Sequence, residues 1–209
     1  MSDLFHELTA GIVALPPYGL GALIVLLLYA IQAEIRFGAR ARSHATGASD
    51  RRSTLAVSLS SAVPVAAFVL AMKGRMPAPL PGMPAIAWLG VVLGACGLLL
   101  RLWAVLMLRE RYTRTLLLHE GHRIELGGPY RFVRHPGYLG SLLCLNGIAL
   151  ASGDALALLA SVAATIAAYA YRIRVEDEML VAAFGAPYES YRRETGALIP
   201  RFRAHRGSV

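Results

Sequence analysis

The chain has 209 residues, of which 56% are hydrophobic and 16% charged, and its formal net charge is +8. A soluble domain usually contains about 45–50% apolar residues. Here the excess forms runs long enough to cross a bilayer, which takes about 20 residues per helix. The composition therefore excludes an ordinary soluble protein and indicates a multi-pass membrane protein.

The positive charge lies in the segments between the apolar runs. Of the 21 basic residues, five lie in 36–52, six in 109–134 and seven in 172–206. This alternation is typical of membrane topology, whereas a nucleic-acid-binding domain concentrates its charge on one surface. We therefore expect membrane lipids as partners and no nucleic acid. The two cysteines, Cys96 and Cys144, both lie in apolar runs, so no metal site is expected.

Five membrane-spanning helices are predicted in an all-α fold. The first three cover about Tyr18 to Phe37, Thr54 to Met72 with a kink at Pro64, and Ala85 to Leu108. The fourth starts at Pro136 and ends near 151–154, and the fifth runs from about Ala155 to Tyr171. These last two are short and form a helical hairpin. A charged helix over 172–195 follows on the cytoplasmic side.

The span count also predicts an orientation. With five spans the termini lie on opposite sides, and all three basic segments then fall on one face. The positive-inside rule assigns that face to the cytoplasm, so the N-terminus is expected outside and the C-terminus inside.

The stretch "GPYRFVRHPGYLG" (128–140) lies at the start of the fourth span. Pro136 is suited to the first position of a helix, whose free N–H groups and dipole attract anions. Arg131 and Arg134 add positive charge, and His135 and Tyr138 are three residues apart on one helix face. An alternative is that the arginines only anchor the helix at the interface.

A second polar cluster, "YRIRVEDEML", follows the fifth span. Arg172 and Glu176 are four residues apart, so they share a helix face at the same membrane depth as His135. A simple salt bridge is the alternative interpretation. Asp177 and Glu178 extend the acidic run where the positive-inside pattern favours bases, which favours a functional site.

Over residues of about 85 to 202, the chain resembles the isoprenylcysteine carboxyl methyltransferase family of integral membrane methyltransferases. The resemblance rests on "GHRIELGGPYRFVRHPGYLG" (121–140), "RIRVEDEMLVAAFGAPYESY" (172–191) and "LIPRF" (198–202), in that order. It implies one membrane domain with three parts: two N-terminal helices in 1–84, a methyltransferase core with the cofactor site in 85–202, and a basic tail in 203–209.

The resemblance implies S-adenosyl-L-methionine as methyl donor and assigns two groups of site residues. Arg172 would bind the substrate carboxylate, and Arg172 and Glu176 would be the catalytic pair. The cofactor would contact His122, Arg123, Ile124, Glu125, Tyr130, His135, Pro136, Gly137, Tyr138 and Glu176. Arg123 and Glu125 depart from the family pattern, which often has a small polar residue and a valine there.

The expected reaction is carboxyl O-methylation of a lipophilic, prenylcysteine-like substrate at the cytoplasmic face, in a bacterial inner membrane. Three alternatives remain open: an aminophospholipid N-methyltransferase, an NADPH-dependent membrane reductase of the sterol type, and a non-catalytic adaptor. A cationic Arg172 argues against an ammonium substrate. Arg101, which lies inside the third span, is expected to pair with Glu34 or to line the substrate pocket.

Overall fold

The computed structural model describes residues 21, 23–25, 27–28, 51–73, 80, 83–108 and 124–201, and in these residues the chain is all-α. A 3-10 helix, Gly128–Arg131, precedes the fourth of the helices. The α-helices are α1 Ser53–Ser60, α2 Ala62–Met72, α3 Met83–Leu108, α4 Pro136–Ala151, α5 Ala155–Phe184 and α6 Ala186–Glu194.

Within the described residues, three helical segments are long and apolar enough to cross a membrane: Ser53–Leu70, Ala85–Leu108 and Ala155–Phe184. The apolar helix α4 is shorter, with 16 residues. The chain is therefore an integral membrane protein, and the predicted polytopic all-α fold is confirmed. The first predicted span, Tyr18 to Phe37, lies mostly outside the described residues.

The second and fifth spans differ in detail from their predicted form. The second is divided into α1 and α2 at Ser61, because Pro64 has no N–H to donate to the carbonyl of Ser60. The fifth does not end near Tyr171 but continues as one helix to Phe184. Charged side chains end the apolar run without interrupting backbone hydrogen bonding. The helix ends at Gly185, whose φ of 59° is strained for other residues.

Helices α3 and α4 make the most extensive contact between elements. Glycines allow their backbones to touch: a Cβ atom on Gly97 would lie 2.4 Å from the backbone nitrogen of Cys144. A Cβ on Gly147 would lie 2.5 Å from the backbone nitrogen of Gly94. Small residues at such contacts promote helix association in lipid, where burying apolar side chains gives little net gain.

The interior of the bundle contains both apolar and polar contacts. Asn146 of α4 donates to Thr165 of α5 (3.1 Å) and accepts from Ser161 of α5 (2.9 Å), as expected for a hydrogen bond between neighbouring helices. The buried apolar cluster comprises Ile24, Leu28, Phe68, Val91, Leu98, Leu142, Cys144, Leu145, Ile148, Ala151 and Tyr169. Large apolar side chains on α3 and α5 face outward, as lipid contact requires.

The polar groups of the turn between α4 and α5 are hydrogen-bonded within the protein, and the carbonyl of Gly153 accepts from the N–H of Leu80 (2.8 Å). The Ser152 hydroxyl donates to the carbonyl of Ala149 (2.6 Å), and the Asp154 carboxylate accepts from the backbone N–H of Ala157 (2.8 Å). Both side chains are buried. Asp154 thereby caps α5, and the two helices form the predicted hairpin.

The α3–α4 contact leads to a prediction about two glycines three residues apart. Replacing Gly97 by alanine should destabilise the protein by about 1–3 kcal/mol, because the new methyl group meets backbone atoms that cannot move aside. Gly94→Ala is the matched control, since its Cβ would make ordinary contacts of 3.6 Å or more. Thermal unfolding in detergent measures both variants. Equal midpoints would show that the helices are not packed this closely.

Candidate functional site

The two polar motifs meet where α4 begins beside α5. The Arg172 Nε donates to the Tyr138 hydroxyl (2.9 Å), and that hydroxyl donates to the Glu176 carboxylate. The His135 ring stacks on the Tyr138 ring, with centroids 5.4 Å apart and planes 9° from parallel. Four residues singled out in the sequence therefore form one contiguous group.

The buried carboxylate of Asp177 lies behind this group and accepts hydrogen bonds from three directions. Its donors are Arg134 Nη2 (2.9 Å), His135 Nε2 (3.0 Å) and the Tyr188 hydroxyl (2.5 Å). Because an ionised carboxylate only accepts, Nε2 of His135 carries a proton. The other ring nitrogen, Nδ1, then faces Glu176 at 3.8 Å.

The tyrosines of α6 complete the arrangement. Burial raises the pKa of Tyr188, and the adjacent carboxylate of Asp177 raises it further, so its hydroxyl stays protonated as a donor. Burial also raises the pKa of Tyr191, which donates to the carbonyl of Tyr130 (2.5 Å). Helix α6 is thus attached both to α5 and to the 3-10 helix.

The segment after α6 holds the loop that leads into α4. The backbone N–H groups of Arg134 and His135 donate to the carbonyls of Gly196 (2.8 Å) and Ala197 (3.1 Å). The Arg134 guanidinium also donates to the carbonyls of Arg192 (3.1 Å) and Thr195. The loop before Pro136 is therefore fixed by backbone and side-chain contacts together.

Arg172 is also bound by the start of α1. Its Nη1 donates to the hydroxyls of Ser53 (2.8 Å) and Thr54 (2.8 Å). Arg172 is only 4% exposed and Ser53 is fully buried. The second span therefore contributes directly to the site, although the three motifs that carry the resemblance all lie in 121–202.

The Tyr138 hydroxyl lies between a cationic side chain, Arg172, and an anionic one, Glu176. Helix α4 begins at Pro136, as predicted, and the side chain of its N-cap residue, His135, makes no capping hydrogen bond. Such a helix end favours anions. The Glu176 side chain is 23% exposed, so its carboxylate is accessible to a cation.

Comparison with known proteins shows a similarity to membrane methyltransferases. The model of the phospholipid methyltransferase family matches residues 85–187. A solved structure of the eukaryotic intramembrane Ras methyltransferase, isoprenylcysteine carboxyl methyltransferase, aligns with a TM-score of 0.56 and 26% identity, covering 69% of this chain and 50% of that one. In sequence and in fold, the chain is therefore similar to isoprenylcysteine carboxyl methyltransferase.

Two further similar proteins carry names that differ from that of the solved methyltransferase. The cobalt-zinc-cadmium resistance protein CzcN of Cupriavidus metallidurans is 35% identical over 128 residues, which are 61% of this chain and 53% of that protein. Methanethiol S-methyltransferase 2 of Bradyrhizobium diazoefficiens is 40% identical over 78 residues, 37% of this chain and 29% of that one. The chain spans about half the length of CzcN and of the solved methyltransferase.

The other residues that the resemblance assigns to the cofactor lie in the 3-10 helix or before it, and the structure describes some of them. Tyr130 is buried, and its hydroxyl donates to the carbonyl of Ala104 (3.3 Å). Ile124 and Glu125 precede the 3-10 helix, where the Glu125 carboxylate accepts from the N–H of Gly127 (2.9 Å). His122 and Arg123 lie outside the described residues.

Arg101 is buried in α3 and reaches the start of α4. Its Nη1 donates to the Gly137 carbonyl (3.0 Å) and the Ser141 hydroxyl (2.5 Å). The proposed partner Glu34 lies outside the described residues. Arg101 thus contacts the first turn of α4 beside the motif, where it supports the backbone of Gly137.

Asp177 leads to a prediction that compares two neighbouring acids. Asp177→Asn should destabilise the protein by about 3–5 kcal/mol, because it removes the charge that offsets buried Arg134. Glu178→Gln should cost about 1 kcal/mol or less, since Glu178 pairs with Arg51 at the surface and is 48% exposed. Thermal unfolding of both variants in detergent distinguishes them. A similar small loss in each would contradict the buried network.

Proposed function

We propose that the chain is an S-adenosylmethionine-dependent methyltransferase that methylates the carboxylate of a lipophilic acceptor. The similarity to membrane methyltransferases supports the reaction class. The observation that carries the proposal is the hydrogen-bonded link from Arg172 through Tyr138 to Glu176, a cation that would bind the acceptor and an anion that would bind the methyl donor.

The chemistry of the residues present fits this methyl donor. When bound, S-adenosylmethionine supplies an electrophilic methyl group on a sulfonium, and it also carries a carboxylate, an ammonium and an adenine. The start of α4 at Pro136 is suited to the carboxylate, and the accessible Glu176 to the ammonium. The ring of Tyr138 or Tyr130 would attract the sulfonium by about 0.5–2 kcal/mol.

The acceptor needs positioning more than activation. A carboxylate is ionised at neutral pH, since α-carboxyl groups titrate near about pH 3.5, so no general base is required. Arg172 would orient it with charge-assisted hydrogen bonds, and correct placement contributes several kcal/mol to such reactions. A buried cation there would repel a protonated amine, which argues against an aminophospholipid acceptor.

The surroundings of the site favour an acceptor with an apolar tail. Large apolar side chains are exposed on α3, which packs against α4, among them Leu99 and Leu106. A prenyl-like chain would enter sideways from the lipid while the methyl donor enters from water. The distribution of basic residues favours the cytoplasmic side of a bacterial inner membrane for this entrance.

A thiol is the second candidate acceptor. The relative from Bradyrhizobium diazoefficiens is a methanethiol S-methyltransferase, with 40% identity over the shared segment. A guanidinium stabilises a thiolate by the same electrostatic attraction that binds a carboxylate. The acceptor assay therefore includes both classes of anion.

The division of labour between Arg172 and Glu176 gives a prediction. Glu176→Ala should weaken the binding of S-adenosylhomocysteine at least about tenfold, since a hydrogen bond to a charged group is lost. Arg172→Ala should abolish methyl transfer and leave that affinity within about threefold. Arg174→Ala is the matched control, because Arg174 is exposed on the same helix.

Calorimetric titration of the purified protein with S-adenosylhomocysteine, with NADPH run in parallel, measures these affinities. Transfer from labelled donor is then assayed with N-acetyl-S-farnesyl-L-cysteine, methanethiol and phosphatidylethanolamine. Binding of NADPH in place of S-adenosylhomocysteine would assign the motif to a reductase. Equal loss of binding in both variants would contradict separate roles, and methylation of phosphatidylethanolamine would refute the anionic acceptor.

A further inference from the structure

The start of α1 forms a short segment, residues 51–54, that lies against α5 beside Arg172. The Arg172 guanidinium donates from Nε to Tyr138 and from Nη1 to the hydroxyls of Ser53 and Thr54. Two anchored nitrogens fix both the position and the plane of the group. These two hydroxyls accept hydrogen bonds without adding negative charge.

The backbone of this segment has an uncommon conformation. Arg51 and Arg52 both have positive φ angles, 44° and 61°, which side-chain-bearing residues rarely adopt. Contacts with α5 hold this conformation: Tyr171 donates to the carbonyl of Arg51 (2.9 Å), and the Arg51 guanidinium pairs with Glu178 (2.7 Å). Residues 51–54 are thus attached to α5 at Tyr171, just before Arg172, and at Glu178, after it.

We propose that Ser53 and Thr54 are positioning residues that orient the Arg172 guanidinium toward the acceptor anion. This inference rests on the proposed function, in which Arg172 binds the acceptor. The second span, which lies outside the three quoted motifs, would then complete the acceptor site.

The test uses the full-length protein and three sets of substitutions. Ser53→Ala combined with Thr54→Val removes both hydroxyls and keeps the volume of residue 54. Ser53→Thr combined with Thr54→Ser keeps both hydroxyls and is the rescue variant. Ser60→Ala, also on α1, is the matched control, because the Ser60 hydroxyl donates to the carbonyl of Val57 in its own helix.

The first readout does not depend on activity. Phenylglyoxal modifies accessible arginines, and peptide mapping compares Arg172 with the exposed Arg174 as internal reference. The Arg172 to Arg174 ratio should be low in the unsubstituted protein and rise about tenfold when both hydroxyls are removed, as expected for lost hydrogen bonds to a charged group. The rescue variant and Ser60→Ala should leave the ratio unchanged. No rise in the double variant would overturn the proposal.

The second readout separates positioning from general damage to the fold. With N-acetyl-S-farnesyl-L-cysteine as acceptor, the double variant should show a KM raised about tenfold and an unchanged affinity for S-adenosylhomocysteine. An unchanged KM would overturn the assignment to the acceptor site even if Arg172 becomes more reactive. If the unsubstituted protein binds no S-adenosylhomocysteine and methylates nothing, the proposed function fails, and the acceptor role with it. The phenylglyoxal ratio still decides whether the hydroxyls hold Arg172.

Discussion

The buried carboxylate of Asp177 joins three of the segments from which the site is built. It binds Arg134 and His135 from the loop before α4 and Tyr188 from α6, while its own backbone belongs to α5. A buried carboxylate is costly unless it is paired and hydrogen-bonded, and three donors here offset that cost. The loop, the start of α4 and the C-terminal segment keep their relative positions because this carboxylate is satisfied.

His135 connects the hydrogen bonds around Asp177 with the group formed by Tyr138, Arg172 and Glu176. Through Nε2 it binds Asp177, and through the face of its ring it stacks on Tyr138, which contacts both Arg172 and Glu176. The rigid part of the site is buried, whereas Glu176 is partly accessible. This separation is what a group-transfer enzyme requires, because ligands must enter one side of a site whose other side is preorganised.

Much of the fold and part of the site could be predicted from the sequence, for identifiable physical reasons. Apolar runs and Pro136 defined the helices, and the spacing of Arg172 and Glu176 placed both on one face. The contact of Ser53 and Thr54 with Arg172 could not be predicted, since it joins residues 118 or more apart through ordinary hydroxyls. Asp177 was visible only as one acid among three, because sequence spacing alone does not show which carboxylate is buried.

The dimensions of the α4–α5 hairpin have a consequence for the surrounding lipid. Sixteen helical residues extend about 24 Å, less than the hydrocarbon thickness of about 30 Å. Because the polar groups at Ser152, Gly153 and Asp154 are hydrogen-bonded within the protein, the turn can remain inside the hydrocarbon instead of reaching the opposite surface. Hydrophobic mismatch then couples the protein to acyl-chain length, and a thinner bilayer accommodates the hairpin at lower cost than a thick, sterol-rich one.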